Sequence, residues 1–292
     1  MTGDLAAASD TDEPGPRPPG PDDADAPPLY ETITPDPLAA TQDLPAFYDL
    51  GCQVKADEEE VTSCPAGDPE GDVLVYVIGD SKIGQWMPAI EEIARANEWR
   101  VVIHTKSTCA FTDAMTVVDG EPYEQCRVWG QTVMDELRTE VPDIVITGSL
   151  RAEARGADGT TSLGAMVDGY VSYWTELAEQ GTRVLAMADN AQPEHVPVYE
   201  CVDEHRDDHA DRCSWDYRDG PGSEAMRLAA EQVDDAEYVD MNPWVCPDSR
   251  CVGVWRNVLT YRQGSHLTAT FALALAEPLA QHIVPLVEEA RR

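Results

Sequence analysis

The chain has 292 residues, enough for one large domain or two small ones and ample for a real core. Asp and Glu number 55 against 20 Lys and Arg, a formal charge of −35. Such a surface repels phosphate backbones and excludes nucleic acid as a partner, while it fits an acidic, solvating exterior. No apolar run approaches the ~20 residues that span a bilayer. The N-terminus, "MTGDLAAASDTDEPGPRPPG", has neither the basic nor the apolar region of a secretion signal. Residues 1–46 are rich in Pro, Asp and Ala and poor in aromatic and β-branched residues. They cannot bury enough apolar surface to offset their ordering entropy, so they are expected to form a disordered, extended linker ahead of a domain at 47–292. No internal repeat is visible.

From residue 72 onward, short apolar runs alternate with helical patterns. "DVLVYVIGD", "RVVIHTK", "DIVITGS", "TRVLAMADN" and "AEYVDM" are nearly continuous in apolar character, as strands covered on both faces are. Between them, "QWMPAIEEIARANEW", "YEQCRVWGQTVMDELRTEV", "GAMVDGYVSYWTELAEQG" and "SEAMRLAAEQV" carry helical spacing. A last helix is expected over "HLTATFALALAEPLAQHIVPLVEEA". The alternation predicts an α/β fold: about five parallel strands with helices on both faces, a flavodoxin-like three-layer sandwich. Ligands of such sheets bind beyond the carboxyl ends of the strands.

The eight cysteines fall in local couples: Cys52 with Cys64, Cys109 with Cys126, Cys201 with Cys213, and Cys246 with Cys251. No spacing among them matches a zinc site. Pairing each with its neighbour is the economical arrangement, and each bridge would add roughly 2–3 kcal/mol. Four disulfides imply an oxidising, extracytoplasmic compartment. The expected export signal or membrane-spanning portion would then lie upstream of this chain.

In "VIGDSKIGQW", a strand breaks at Gly79-Asp80-Ser81 and a helix follows. A serine there is a candidate nucleophile, with an N-cap as its alternative role; helix N–H groups beside it can hold an oxyanion. Among the histidines, His104 falls inside the second strand, His195 in a proline-bounded loop and His282 in the last helix. His205 and His209 form an HxxxH pair in an acidic loop, "CVDEHRDDHADRC", better read as solvated than as a metal site. His266, after the strand-like "NVLTYR" and at the start of the last helix, is the candidate base.

The combination of "VIGDS" early and "HLT" late resembles the SGNH hydrolases. More closely, "GDSKIGQWMPAIEEIA", "STCAF" with "YEQCRVW", and "CPDSRCVGVWRNVLTYRQGSHLTATFA" resemble the SGNH domain fused behind the membrane acyltransferase-3 module of bacterial surface O-acyltransferases. The resemblance implies Ser81 as nucleophile and His266 as base. It implies an oxyanion hole from the Ser81 N–H, a residue after the second strand (Ser107 or Thr108) and one after the third, where Gly148 and Ser149 replace the usual asparagine. Lys82 replaces the histidine of a GDSH block. Gln263 stands where an aspartate normally orients the catalytic histidine, and an amide cannot stabilise imidazolium by charge.

The expected function is thus an extracytoplasmic serine O-acyl esterase or O-acyltransferase. It would act on an acyl ester or a cell-surface glycan through an acyl-serine, without metal or organic cofactor, beside an upstream membrane acyltransferase. The alternative is a catalytically degenerate SGNH domain that binds carbohydrate or supports that transferase. A cytoplasmic flavodoxin-like binding protein with free thiols fits less well, because no strand is followed by a phosphate-cradling glycine loop.

Overall fold

The continuous apolar run Val73–Gly79 is buried along its whole length because it is a central strand, covered on both faces. A computed structural model describes residues 32–194 and 197–291 of the chain. In chain order the main sheet is built from β1 (Gln53–Val54), β2 (Cys64–Gly67), β3 (Val73–Gly79), β4 (Trp99–Lys106), β5 (Ile144–Gly148), β6 (Arg183–Met187) and β7 (Ala236–Val239). Across the sheet the order is β1-β4-β3-β5-β6-β7, all parallel. β2 runs antiparallel along the outer edge of β4.

The five strands read from sequence are β3 to β7, and the two short ones at the edge complete the set. Alternate residues of β3 feed two cores. Val75 and Val77 pack with helices α2 (Met87–Ala96), α6 (Ala269–Ala274) and α7 (Ala276–Ala290). Tyr76 and Ile78 pack with α3 (Glu124–Leu137), α4 (Leu163–Glu179) and α5 (Ser223–Ala230). Two residues, Gln85 and Trp86, separate α2 from the short α1 (Ser81–Gly84) at the carboxyl end of β3.

The segment 32–46, in the stretch whose composition predicts a linker, instead packs onto the domain. The Thr34 N–H donates to the Asn257 carbonyl at 2.7 Å, and the Thr34 carbonyl accepts the Leu259 N–H at 2.9 Å. A 3₁₀ turn over Pro37–Gln42 then buries Pro37 and Ala40. Proline-rich composition hides this, because a Pro at the first turn is also a helix-start signal. Residues 1–31 lie outside the described part, as does His195.

The last helix also begins later than expected. His266 belongs to a hairpin of β8 (Tyr261–Gln263) and β9 (His266–Leu267), in which Gln263 faces His266 across Gly264 and Ser265. Gly264, at φ +52, supplies the left-handed residue that so tight a turn requires. Thr268 then caps α6 by accepting the Phe271 N–H at 3.0 Å.

All four expected disulfides are present: Cys52–Cys64, Cys109–Cys126, Cys201–Cys213 and Cys246–Cys251. No helix is long and apolar enough to cross a membrane among the described residues.

Candidate active site

The strand order places the chain reversal of the sheet between β3 and β5, and in such sheets ligands bind there, beyond the carboxyl ends of the strands. Gly79 pairs with Thr105 on one side and Gly148 on the other. A Cβ on Gly79 would meet the Gly148 carbonyl oxygen at 2.4 Å, and its φ of +151 suits glycine alone. This close approach lets β3 turn sharply into α1.

Asp80, not Ser81, caps that helix. Asp80 Oδ1 accepts the Lys82 N–H at 2.8 Å, while Oδ2 accepts the Ser149 hydroxyl at 2.8 Å and the Leu150 N–H at 3.0 Å. Burial pushes the Asp80 carboxyl up to about 6, against the three donors that favour its anion. Ser81 is thereby freed from capping. Its Oγ lies 2.8 Å from His266 Nε2. His266 Nδ1 faces the main-chain carbonyl of Gln263 at 3.3 Å. With Nδ1 donating to that carbonyl, Nε2 carries the lone pair and accepts the serine proton, which is the tautomer a general base needs.

Among the described residues no carboxylate contacts the ring. Burial drives its pKa down to about 3, helped by the Lys82 and Arg262 cations and opposed by the Gln263 carbonyl. Arg262 is itself buried, with its guanidinium over the Tyr48 ring at 5.6 Å.

The oxyanion candidates divide. Ser107 donates its N–H to the Val54 carbonyl at 2.9 Å, as part of the β1–β4 edge, and so has none to offer a substrate. Thr108 remains of that pair, at φ +56, with its carbonyl held by Arg151 Nε at 2.9 Å. Gly148 gives its carbonyl to the Asp80 N–H at 3.4 Å, and the Ser149 hydroxyl is turned to Asp80. The Gly148 carbonyl and the Ser149 hydroxyl thus brace Asp80.

His104, His205 and His209 lie elsewhere. His104 is buried with Nε2 3.1 Å from Glu136 Oε1. His205 ends one short helix and His209 begins the next, with His205 Nδ1 3.4 Å from Asp208. Among the described residues no cluster of three His, Cys, Asp or Glu could hold a metal.

Lys82, which replaces the histidine of a GDSH block, is buried at the centre of the site. Its Nζ lies 2.9 Å from Asp189 Oδ1, 2.6 Å from Asn190 Oδ1, and 2.9 Å from both the carbonyl and the hydroxyl of Ser265. The signal was "MADN" at the carboxyl end of the fourth strand, where polar residues in an apolar run mark a crevice.

Residues 51–281 match the family described as the SGNH domain fused to AT3 domains. The chain belongs to that family. Among solved structures, this SGNH domain is similar to the periplasmic domain of a lipopolysaccharide acetyltransferase from Salmonella ser. Paratyphi A. The TM-score is 0.55 at 14% identity, covering 73% of this chain and 84% of that one. A protein described as an acylhydrolase, from Bacteroides fragilis NCTC 9343, gives a TM-score of 0.41 at 10% identity, covering 76% of this chain and 91% of that one. No curated protein matches the chain by sequence. At 14% identity the likeness to the acetyltransferase domain is one of fold.

Proposed function

We propose that this SGNH domain is a serine O-acyl esterase or O-acyltransferase of an extracytoplasmic compartment, acting on acyl esters of cell-surface glycans. The observation that carries the reading is the 2.8 Å contact between Ser81 Oγ and His266 Nε2, with the opposite ring nitrogen held by Gln263. Ser81 attacks the acyl carbonyl, and its proton passes to Nε2. The Ser81 and Thr108 N–H groups hold the developing oxyanion. His266 returns the proton to the leaving alcohol, then activates water or a glycan hydroxyl to release the acyl group. No organic cofactor enters this scheme. Four disulfides and the family's fusion to AT3 domains support an extracytoplasmic setting beside a membrane acyltransferase. A portion outside this chain would supply the tether.

A fluorophosphonate probe tests the reading. It should label the parent protein at Ser81 and fail to label Ser81→Ala or His266→Ala. The specific observation favouring a degenerate, carbohydrate-binding domain is an imidazole whose Nδ1 meets a main-chain carbonyl instead of a carboxylate and which feels two nearby cations. Absence of labelling in the parent, with glycan binding retained, would establish that second reading instead.

A further inference from the structure

The loop that carries His266 is gripped from both sides by buried side chains of α1 and the end of β6. On one side, the Ser265 carbonyl accepts Lys82 Nζ at 2.9 Å and Asn190 Nδ2 at 2.7 Å, and the Ser265 hydroxyl lies 2.9 Å from Lys82 Nζ. On the other side, the Leu267 N–H donates to Gln85 Oε1 at 2.8 Å. Gln85 Nε2 and Lys82 Nζ converge on the same acceptor, Asn190 Oδ1, at 2.7 and 2.6 Å. The ammonium also forms an ion pair with Asp189 Oδ1 at 2.9 Å, and both of those side chains are shielded from solvent. Residues on the two flanks of His266 are thus tied to the helix that begins with Ser81. One rigid frame holds nucleophile and base.

We infer that Lys82, paired with Asp189 and Asn190, is a positioning residue for His266. Its buried ammonium fixes the Ser265 main chain, while Gln85, bonded to the same Asn190 oxygen, holds Leu267; together they take the place of a side-chain carboxylate as the device that aims the ring at Ser81. A carboxylate on Nδ1 fixes a ring directly, whereas here only a main-chain carbonyl at 3.3 Å does so. Orientation must then come from the backbone beneath the ring. A lysine suits this task because three N–H donors radiate from one point and can be shared among partners from separate elements. An ammonium so deep in the protein would be costly without a counter-charge, and Asp189 supplies it. The inference rests on His266 as the base, and its test is chosen so that the two can fail separately.

Lys82→Met alone strands a buried carboxylate, so Lys82→Met with Asp189→Asn removes both charges and keeps volume close to the original. The groups facing His266 are then Ser81, the Gln263 carbonyl and Arg262, which in turn faces Tyr48 and Asp43. The primary measurement is ¹⁵N NMR of the histidine rings, with His266 assigned by its absence in His266→Asn. In the parent protein the ring should be a single Nδ1–H tautomer that does not titrate down to about pH 4. In the folded double variant it should show mixed tautomers and a titration raised into the measurable range, because Lys82 rather than Asp189 is the charge that acts on the ring.

The second measurement is hydrolysis of a small activated acetate ester. kcat should fall by about tenfold or more with KM held within about twofold, since a misaligned base slows chemistry rather than binding. A folded double variant that keeps the parent's tautomer, titration and kcat would overturn the assignment. If the parent neither hydrolyses ester nor reacts with fluorophosphonate, the esterase reading fails, while the NMR comparison still decides whether Lys82 positions the ring.

Discussion

Gln263 and His266 face each other across a two-residue turn, and the main-chain oxygen of Gln263 rather than its amide lies against His266 Nδ1. The Gln263 side chain is exposed. Gln263→Ala should therefore leave ester hydrolysis within about twofold of the parent, since the carbonyl remains. Gln263→Asp should act differently. Residues opposite each other in a hairpin project to the same face, so a carboxylate there can reach the ring. Its charge would stabilise imidazolium and raise the rate by about tenfold, equivalent to roughly 1.4 kcal/mol of barrier. Steady-state kinetics on the two variants, with His266→Ala added to Gln263→Asp as the control, decides this. A tenfold loss in Gln263→Ala would show that the amide, not the carbonyl, orients the ring.

The pH profile follows from the same geometry. The base works as neutral imidazole, and burial with two nearby cations pushes its pKa down to about 3. The folded value lies below the ordinary histidine range, so protonation begins only in strong acid. kcat/KM should stay flat from neutral pH down to about pH 4, without the fall near pH 6.5 that an unperturbed histidine gives. In Gln263→Asp the acid limb should move upward. An inflection near pH 6.5 in the parent would mean that the ring is far better solvated than its surroundings indicate.

What could be read in advance was whatever the local pattern determines. β3 to β7 are β-branched runs buried on both faces, so their apolar continuity alone marks them. Ser81 and His266 stood out because a strand-to-helix corner and an HLT segment are local signals. The remainder depends on partners distant in sequence. Lys82 meets Asn190 across 108 positions and Ser265 across 183, and nothing near Lys82 announces that it is buried. The same holds for Asp43, whose carboxylate accepts the Thr270 N–H at 3.0 Å from within a segment that reads as linker. "HLTATFA" keeps helical spacing and so predicts a helix from His266, while the hairpin and the Thr268 cap delay its start to Ala269.

The Cys109–Cys126 bridge lies directly after Thr108, the remaining oxyanion candidate of its loop, and ties that loop to the first turn of α3. Both sulfurs are buried. Replacing both cysteines by alanine should cost about 3 kcal/mol, as expected for a loop of this length. That corresponds to a Tm lower by roughly 6–12 °C for a domain of this size. Fluorophosphonate labelling at a temperature where the variant remains folded should also slow, because Thr108 loses its anchor. Differential scanning calorimetry reads the first effect and labelling kinetics the second. Unchanged labelling would separate the bridge from the site.

Asp80 offers the last test, because it holds the corner from which Ser81 projects. Each of its oxygens accepts from a donor: Oδ1 from the Lys82 N–H, and Oδ2 from the Ser149 hydroxyl and the Leu150 N–H. In Asp80→Asn one oxygen becomes an NH₂ group, and whichever way the amide turns, a donor meets a donor in a buried place. Such a mismatch costs roughly 1–3 kcal/mol. The dependence on pH carries the sign. Burial raises the folded carboxyl to about 6, from 3.8. A raised carboxyl adds stability that is fully present below the unfolded value and is lost as pH rises through the folded one. Asparagine has no such dependence. The gap in Tm between the parent and Asp80→Asn should therefore widen as pH falls from about 7 to about 5. A gap that narrows over that range would mean that the three donors outweigh burial and hold Asp80 ionised well below pH 6.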